Sequence, residues 1–244
     1  MEMKRMFCIA AICAPLAMMG QTGMPPGTIV AVSLDKSLKA EKVHAGQIFQ
    51  ATVMQAIPGT EVHRGSKVVG QVVRVSTDPS GATQLALRFD TIKTHGRTMP
   101  VRTSLRAVAS FLEVEEAQMP EEIATRGITP ETATTQQIGG EQVYRGGGPV
   151  ASGETVVGKP AAYGVLVTPR THPGLPCRGS IAGNKQPQAL WLFSSDACGV
   201  YGYPKLRVAK AGRNSPTGEI VLIKDKGQLL LRSGTGLLLR VQGS

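Results

Sequence analysis

Trp191, Phe193, Tyr201 and Tyr203 fall within thirteen positions around Cys198, in a chain of 244 residues whose aromatic content is only 4%. Rings grouped beside a braced cysteine suit a platform on which a sugar ring or a peptide stacks, so these four are the candidate binding residues. The same rings would equally well fill the core of a small unit that has few other aromatics. Cys177 and Cys198 are the expected disulfide pair. Their bridge would close a loop of about 20 residues and add about 3 kcal/mol by restricting the unfolded chain. The C-x-x-C spacing of redox and zinc sites is absent.

Other reactive residues do not converge into a catalytic pattern. Gly153, Gly158 and Lys159 imitate the opening of a phosphate-binding loop, but Pro160 stands where a Ser or Thr should hold magnesium. His44, His63, His95 and His172 lie beside turn residues without H-x-x-x-H or H-x-H spacing, so no metal site is expected. Ser66, Ser180, Ser194 and Ser195 lack the G-x-S-x-G elbow of a serine nucleophile. Asp35, Asp90 and Asp196 read as turn-formers at strand ends. No catalytic residue and no cofactor is assigned.

The N-terminus indicates where the protein works. Lys4 and Arg5 precede the apolar run 7–19, and small and polar residues follow at Gly20, Gln21 and Thr22. That is the layout of a secretory signal peptide over residues 1–20, and the run is too short to span a bilayer. The expected location is therefore periplasmic or extracellular, associated with the cell envelope, with no transmembrane span in the mature chain. In an oxidising compartment the remaining cysteines, Cys177 and Cys198, pair most simply with each other.

Residues 1–20 carry +1 of the formal charge of +10, and the rest divides into three blocks. Residues 21–112 carry +6, residues 113–158 carry −6 and residues 159–244 carry +9. The middle block combines a Glu cluster at 113–122, a Thr-rich stretch at 129–135 and Gly146, Gly147 and Gly148. It is expected to be an acidic, largely disordered linker. The flanking blocks are expected to be two small β-barrel or β-sandwich modules, residues 27–112 and 159–244, making the chain all-β.

The first module shows period-two alternation in Val30/Val32/Leu34, Phe49/Ala51/Val53, Leu85/Leu87/Phe89 and Val101/Thr103/Leu105/Ala107. Gly46, Gly59, Gly65, Gly81 and Gly96 punctuate the runs. Gly27-Thr28-Ile29, Ala45-Gly46-Gln47, the stretch Arg64 to Gly70, and Leu85-x-Leu87-x-Phe89-x-x-Ile92 together resemble the periplasmic β-barrel module of TrbI-like conjugation-channel (type IV secretion) proteins. The resemblance covers residues 27–110. His63 occupies the family's turn-proline position and Phe89 a common tryptophan position. It implies a secreted barrel and an envelope location. In the second module, Glu219–Lys224 and Gln228–Arg232 flank the hairpin turn Asp225-Lys226-Gly227, and Arg232-Ser233-Gly234 echoes Arg64-Gly65-Ser66.

A sequence pI near 9.7 with scattered rather than clustered bases argues against nucleic acid and toward an anionic envelope polymer, a glycan or an envelope protein as partner. The expected role is non-enzymatic, structural or binding. The alternative is a secreted hydrolase acting on cell-wall or exopolysaccharide material, with the aromatic cluster as substrate platform.

Overall fold

Runs of β-branched and leucine residues separated by glycine turns become strands here, and the long-range pairing of those strands makes the fold. The computed structural model describes residues 24–118, 134–136, 138, 142–144, 150–152, 155–158, 165–168, 191–193 and 197–243. The first segment contains β1 (Ile29–Leu34), β2 (Leu38–Lys39), β3 (Ile48–Val53), β4 (Lys67–Thr77), β5 (Thr83–Thr94), β6 (Arg97–Pro100) and β7 (Thr103–Ala109), followed by α1 (Phe111–Gln118). Short strands follow as β8 (Thr134–Gln136), β9 (Gln142–Tyr144), β10 (Val150–Ser152), β11 (Thr155–Gly158) and β12 (Val165–Thr168). The last segment contains β13 (Gly199–Tyr201), β14 (Leu206–Ala211), β15 (Ile220–Lys224), β16 (Leu230–Leu231) and β17 (Gly236–Val241).

The principal sheet runs in the order β13-β7-β17-β1-β3-β4-β5-β15-β14, with β6 also on β5. β5 is long enough to pair with β15 through Thr83–Leu87 and with β6 through Thr91–Thr94. β13 and β14 stand at opposite ends of this order, yet only residues 202–205 separate them in the chain. The four linking residues reach at most about 17 Å, whereas the ends of a flat sheet in this order would lie about 38 Å apart, so the sheet must roll until its two ends approach. One interior results, filled from every wall by Val32, Phe49, Val72, Leu87, Phe89, Leu105, Leu222, Leu237 and Leu239 among others. β2 and β16 form a small separate pair, with Leu38 and Leu231 buried.

The all-β class holds. The division into two modules does not: β17 lies between β1 and β7, and β15 pairs with β5, so residues 199–241 complete the barrel begun by residues 29–109. The charge blocks misplaced that boundary because charge marks the solvent face, whereas strand pairing follows the apolar face.

The acidic linker expected from residue 113 also needs correction at its start. Phe111–Gln118 is a helix that buries Val114 and Ala117 against the outside of the sheet. β10 pairs with β11, and β8, β9 and β12 form a three-stranded sheet, within and just after the same block. The remainder of that block and the signal peptide at 1–20 lie outside the described residues.

Candidate functional site

Of the four rings expected to form a platform, two are sealed in the structure. Trp191 is 4% exposed and Phe193 is fully buried, in an outer apolar cluster with Ala31, Ala107, Ala109, Val114 and Leu238. Their rings meet edge to face with centroids 6.2 Å apart, and the Trp191 backbone N–H donates to Gln55 Oε1. Tyr201, half-buried, packs against the same cluster, and its hydroxyl accepts the Cys198 backbone N–H at 3.0 Å. Tyr203 turns the other way, toward the barrel interior. Its hydroxyl shares a 2.5 Å hydrogen bond with Thr235 Oγ1, and burial pushes its ionisation above the ordinary range. The four rings therefore divide between two faces of one wall, and the stacking platform is replaced by packing. Adjacency in sequence hid this, because Tyr201 ends β13 whereas Tyr203 lies in the turn that follows, beyond Gly202 at a φ of 66°.

Cys198 is held in a disulfide, and Cys177 lies outside the described residues. So do His172, Ser180, Ser194, Ser195, Asp196 and Lys159 with its neighbouring Pro160. Among the described residues, no group of three or more His, Cys, Asp or Glu side chains is placed to hold a metal ion. No helix among them is long and apolar enough to cross a membrane.

The remaining reactive residues are accounted for by local bonding. Lys67 Nζ donates to Asp35 Oδ2 at 2.8 Å and to Thr52 Oγ1 at 2.6 Å, and Thr52 donates its own proton to Asp35. A hydroxyl that already gives its proton to a carboxylate and accepts from an ammonium is a cross-strand brace, not an activated nucleophile. His63 and His95 meet edge to face, with centroids 5.0 Å apart, between the turns that lead into β4 and β6.

Charge gathers instead at one end of the barrel. A cavity of about 230 Å³ is lined by Ser104, Arg106, Arg213, Arg240, Val241, Gln242 and Gly243. Local structure explains how three arginines arrive there. β7 and β17 slip register between Leu238 and Leu239, whose partners are Ala107 and Leu105, so Arg106 is the extra residue of a β-bulge. The bulge keeps Arg106 on the outer side with Ser104, and Leu105 and Val108 point into the core. Arg106 is 5% exposed, and its Nε donates to the Ala197 carbonyl at 3.4 Å. Arg240 is the cross-strand partner of Ser104, and Arg213 comes from the exposed loop between β14 and β15. Gln242 Nε2 donates to Ser104 Oγ at 2.6 Å and to the Arg240 carbonyl at 3.1 Å.

A broader groove of about 1200 Å³ adjoins this cavity and shares Val241 and Gln242 with it. Pro25, Pro26, Pro100 and Pro216 line it, together with Arg88, Asp90 and Arg102. Arg88 Nε donates to Asp90 Oδ1 at 2.5 Å, and its Nη2 donates to Gln71. Arg102 is exposed and makes no ion pair among the described residues. Five arginines thus face two connected depressions, against Asp90 as the single acidic side chain among the described lining residues. A glycosidase would need two carboxylates flanking the scissile bond, and neither cavity has them among the described residues.

Sequence reading missed this site, although two signals were present. Arg102, just before β7, alternates with Ser104 and Arg106 within it, and Arg240 interrupts the apolar run 237–241. What brings them to one place is the pairing of β7 with β17, which local sequence does not encode. Set against family models, curated proteins and solved structures, the chain matches none of them.

Proposed function

We propose that this is a non-enzymatic exported cell-envelope protein that binds an anionic envelope polymer at the arginine-lined end of its barrel. The observation that carries this reading is the charge of that end: Arg88, Arg102, Arg106, Arg213 and Arg240 line it, with Asp90 the single acid among the described lining residues. Guanidinium groups stay charged at every physiological pH and are weakly hydrated, which suits them to phosphate, sulfate and carboxylate groups on a polymer. The signal-peptide pattern at residues 1–20 and the resemblance of residues 27–110 to a TrbI-like barrel module support envelope location, as does the disulfide that holds Cys198.

The test is retention of the full-length mature protein on an immobilised acidic glycan, dextran sulfate, against neutral dextran. Retention should fall steeply with salt, as the screening length shrinks from about 30 Å at 0.01 M to about 8 Å at 0.15 M. Arg102→Glu should weaken it further. Retention that ignores both salt and Arg102→Glu overturns the proposal.

A further inference from the structure

We infer that the barrel end opposite the arginine-lined depressions is a docking face for an anionic lipid bilayer. This goes beyond the polymer reading above and uses different residues.

The face is built from three turns that the fold brings together. Residues 35–43 follow β1, residues 202–207 run into β14, and residues 224–233 run on from the end of β15. The pairing of β2 with β16 joins the first turn to the third, Lys39 with Leu230 and Leu38 with Leu231. Beside that pair the Ala40 backbone N–H donates to the Leu229 carbonyl at 3.0 Å, and the Ser233 hydroxyl donates to the Asp35 carbonyl at 2.9 Å. The second turn joins the third where the Asp225 backbone N–H donates to the Lys205 carbonyl at 3.4 Å.

Strand register places this face away from the arginines. β1 starts at Ile29, the cross-strand partner of Arg240, and ends at Leu34, beside the first turn. The loop that joins β14 to β15 carries Arg213, and at the other end of the same two strands Leu206 pairs with Lys224. The 6 residues of β1 separate the two ends by about 20 Å.

Charge then points to the partner. The three turns hold eight Lys and Arg against three acids, Asp35, Glu41 and Asp225, a net charge of +5. Each acid already has a cation: Lys67 at 2.8 Å from Asp35, Lys39 at 3.1 Å from Glu41 and Arg207 at 3.3 Å from Asp225. Lys36, Lys42, Lys205, Lys226 and Arg232 are exposed and Lys224 is half-buried, and none of them makes an ion pair among the described residues. Most are lysines, whose ammonium groups are compact, strongly hydrated charges on flexible stems. Such groups suit a plane of mobile head groups better than one fixed ligand, and each adds roughly fivefold to partitioning onto an anionic leaflet. Tyr203, the single aromatic ring in these turns, faces the interior and shares its 2.5 Å hydrogen bond with Thr235. The turns therefore offer no ring on which a nucleic-acid base could stack.

The experiment is sedimentation of the full-length mature protein with vesicles of phosphatidylglycerol and phosphatidylcholine in equal parts, against vesicles of phosphatidylcholine alone. Binding should need the anionic lipid and weaken as salt rises. Lys36→Glu combined with Lys226→Glu should lower it about tenfold or more, with the circular dichroism spectrum unchanged. Lys36→Arg combined with Lys226→Arg should retain it, because the face supplies charge and not one bonding geometry. Arg102→Glu, at the other end, should leave it nearly unchanged. Equal binding to phosphatidylcholine alone, or no loss on lysine reversal, overturns the docking face. So does a larger loss with Arg102→Glu than with the lysine reversal. If the lysine reversal lowers dextran sulfate retention as much as vesicle binding, the face takes any polyanion and the bilayer assignment falls. Dextran sulfate retention that responds to Arg102→Glu, without vesicle binding, overturns the docking face and leaves the polymer reading standing. The reverse pattern overturns the polymer reading alone.

Discussion

The wall made by β7, β17 and β1 is buried on both faces, and its two faces are built from different residues. Toward the interior it presents Val30, Val32, Leu34, Leu105, Leu237 and Leu239, which meet side chains of similar size from the opposite walls. Toward the outside it presents Ala31, Ala107, Ala109 and Gly236, small residues around the larger Leu238 that let α1, Trp191, Phe193 and Ala197 approach closely. A Cβ on Gly236 would lie 3.0 Å from Val114 and 3.3 Å from both Phe193 and Trp191. The inner face is a core of like against like. The outer face is a floor of mostly small residues, with Leu238 the larger exception, roofed by two large rings. The first tolerates repacking among aliphatics, whereas the second depends on a few shapes.

The largest effect should come from the roof. Phe193→Ala should cost about 3–5 kcal/mol in urea unfolding, because a fully buried ring is removed and the floor beneath is too flat to collapse into the space. If the loss is below about 1 kcal/mol, the outer cluster is not part of the core and the comparison fails.

Next is the inner face. A Cβ at Gly70 would lie 2.5 Å from Phe49 Cζ and 2.6 Å from the Arg88 carbonyl oxygen. Gly70→Ala should therefore cost about 1–3 kcal/mol or somewhat more by strain. Adding Phe49→Leu relieves only the ring contact, because the Arg88 oxygen is backbone. Full recovery in that double variant would show that the interior adjusts more freely than its packing implies.

A smaller loss is expected where the faces communicate. Tyr203→Phe leaves Thr235 Oγ1, in a fully buried residue, without its 2.5 Å partner and should cost about 1–3 kcal/mol. A neutral result in thermal unfolding would mean that water replaces the phenol there.

The smallest effect concerns α1. Burial, and secondarily the charge of Glu116, raises the Glu113 carboxyl above its ordinary value of 4.5. A raised carboxyl favours the protonated form in the folded state, so this group opposes folding above that value and ceases to do so as the pH falls through its raised pKa. Glu113→Gln should raise the midpoint of thermal unfolding slightly at pH 7 and remove the corresponding gain on acidification. An unchanged pH profile would detach Glu113 from the helix–sheet contact.

How much of this was legible depended on which face a residue served. Strand positions such as Val30, Val32, Leu34, Leu85 and Leu87 alternate, and alternation is a local signal that gives the all-β class. β7 alternates in sequence, yet all seven of its residues are buried, so its polar positions Ser104 and Arg106 are not the solvent face that alternation implies. The bulge then places Ala107 outside, although its period puts it with Leu105. Charge pointed to two modules because a surface property does not report strand pairing. Trp191 and Phe193 were conspicuous, but a ring on a surface and a ring under a helix have the same sequence. The arginine cavity depends wholly on which strands become neighbours.

That arrangement has a consequence for how the molecule comes to be folded. β17 occupies the middle of the wall, yet β7 ends at Ala109 and β17 begins only at Gly236. A chain growing from its N-terminus presents β1 and β7 with no partner between them until that distant strand has been made. Two open strand edges waiting on one late arrival make for slow, non-local closure and exposure to pairing between copies. Loss of the segment beyond Gly236 would therefore leave a barrel split through its centre, its two halves each free to recruit a neighbour's edge.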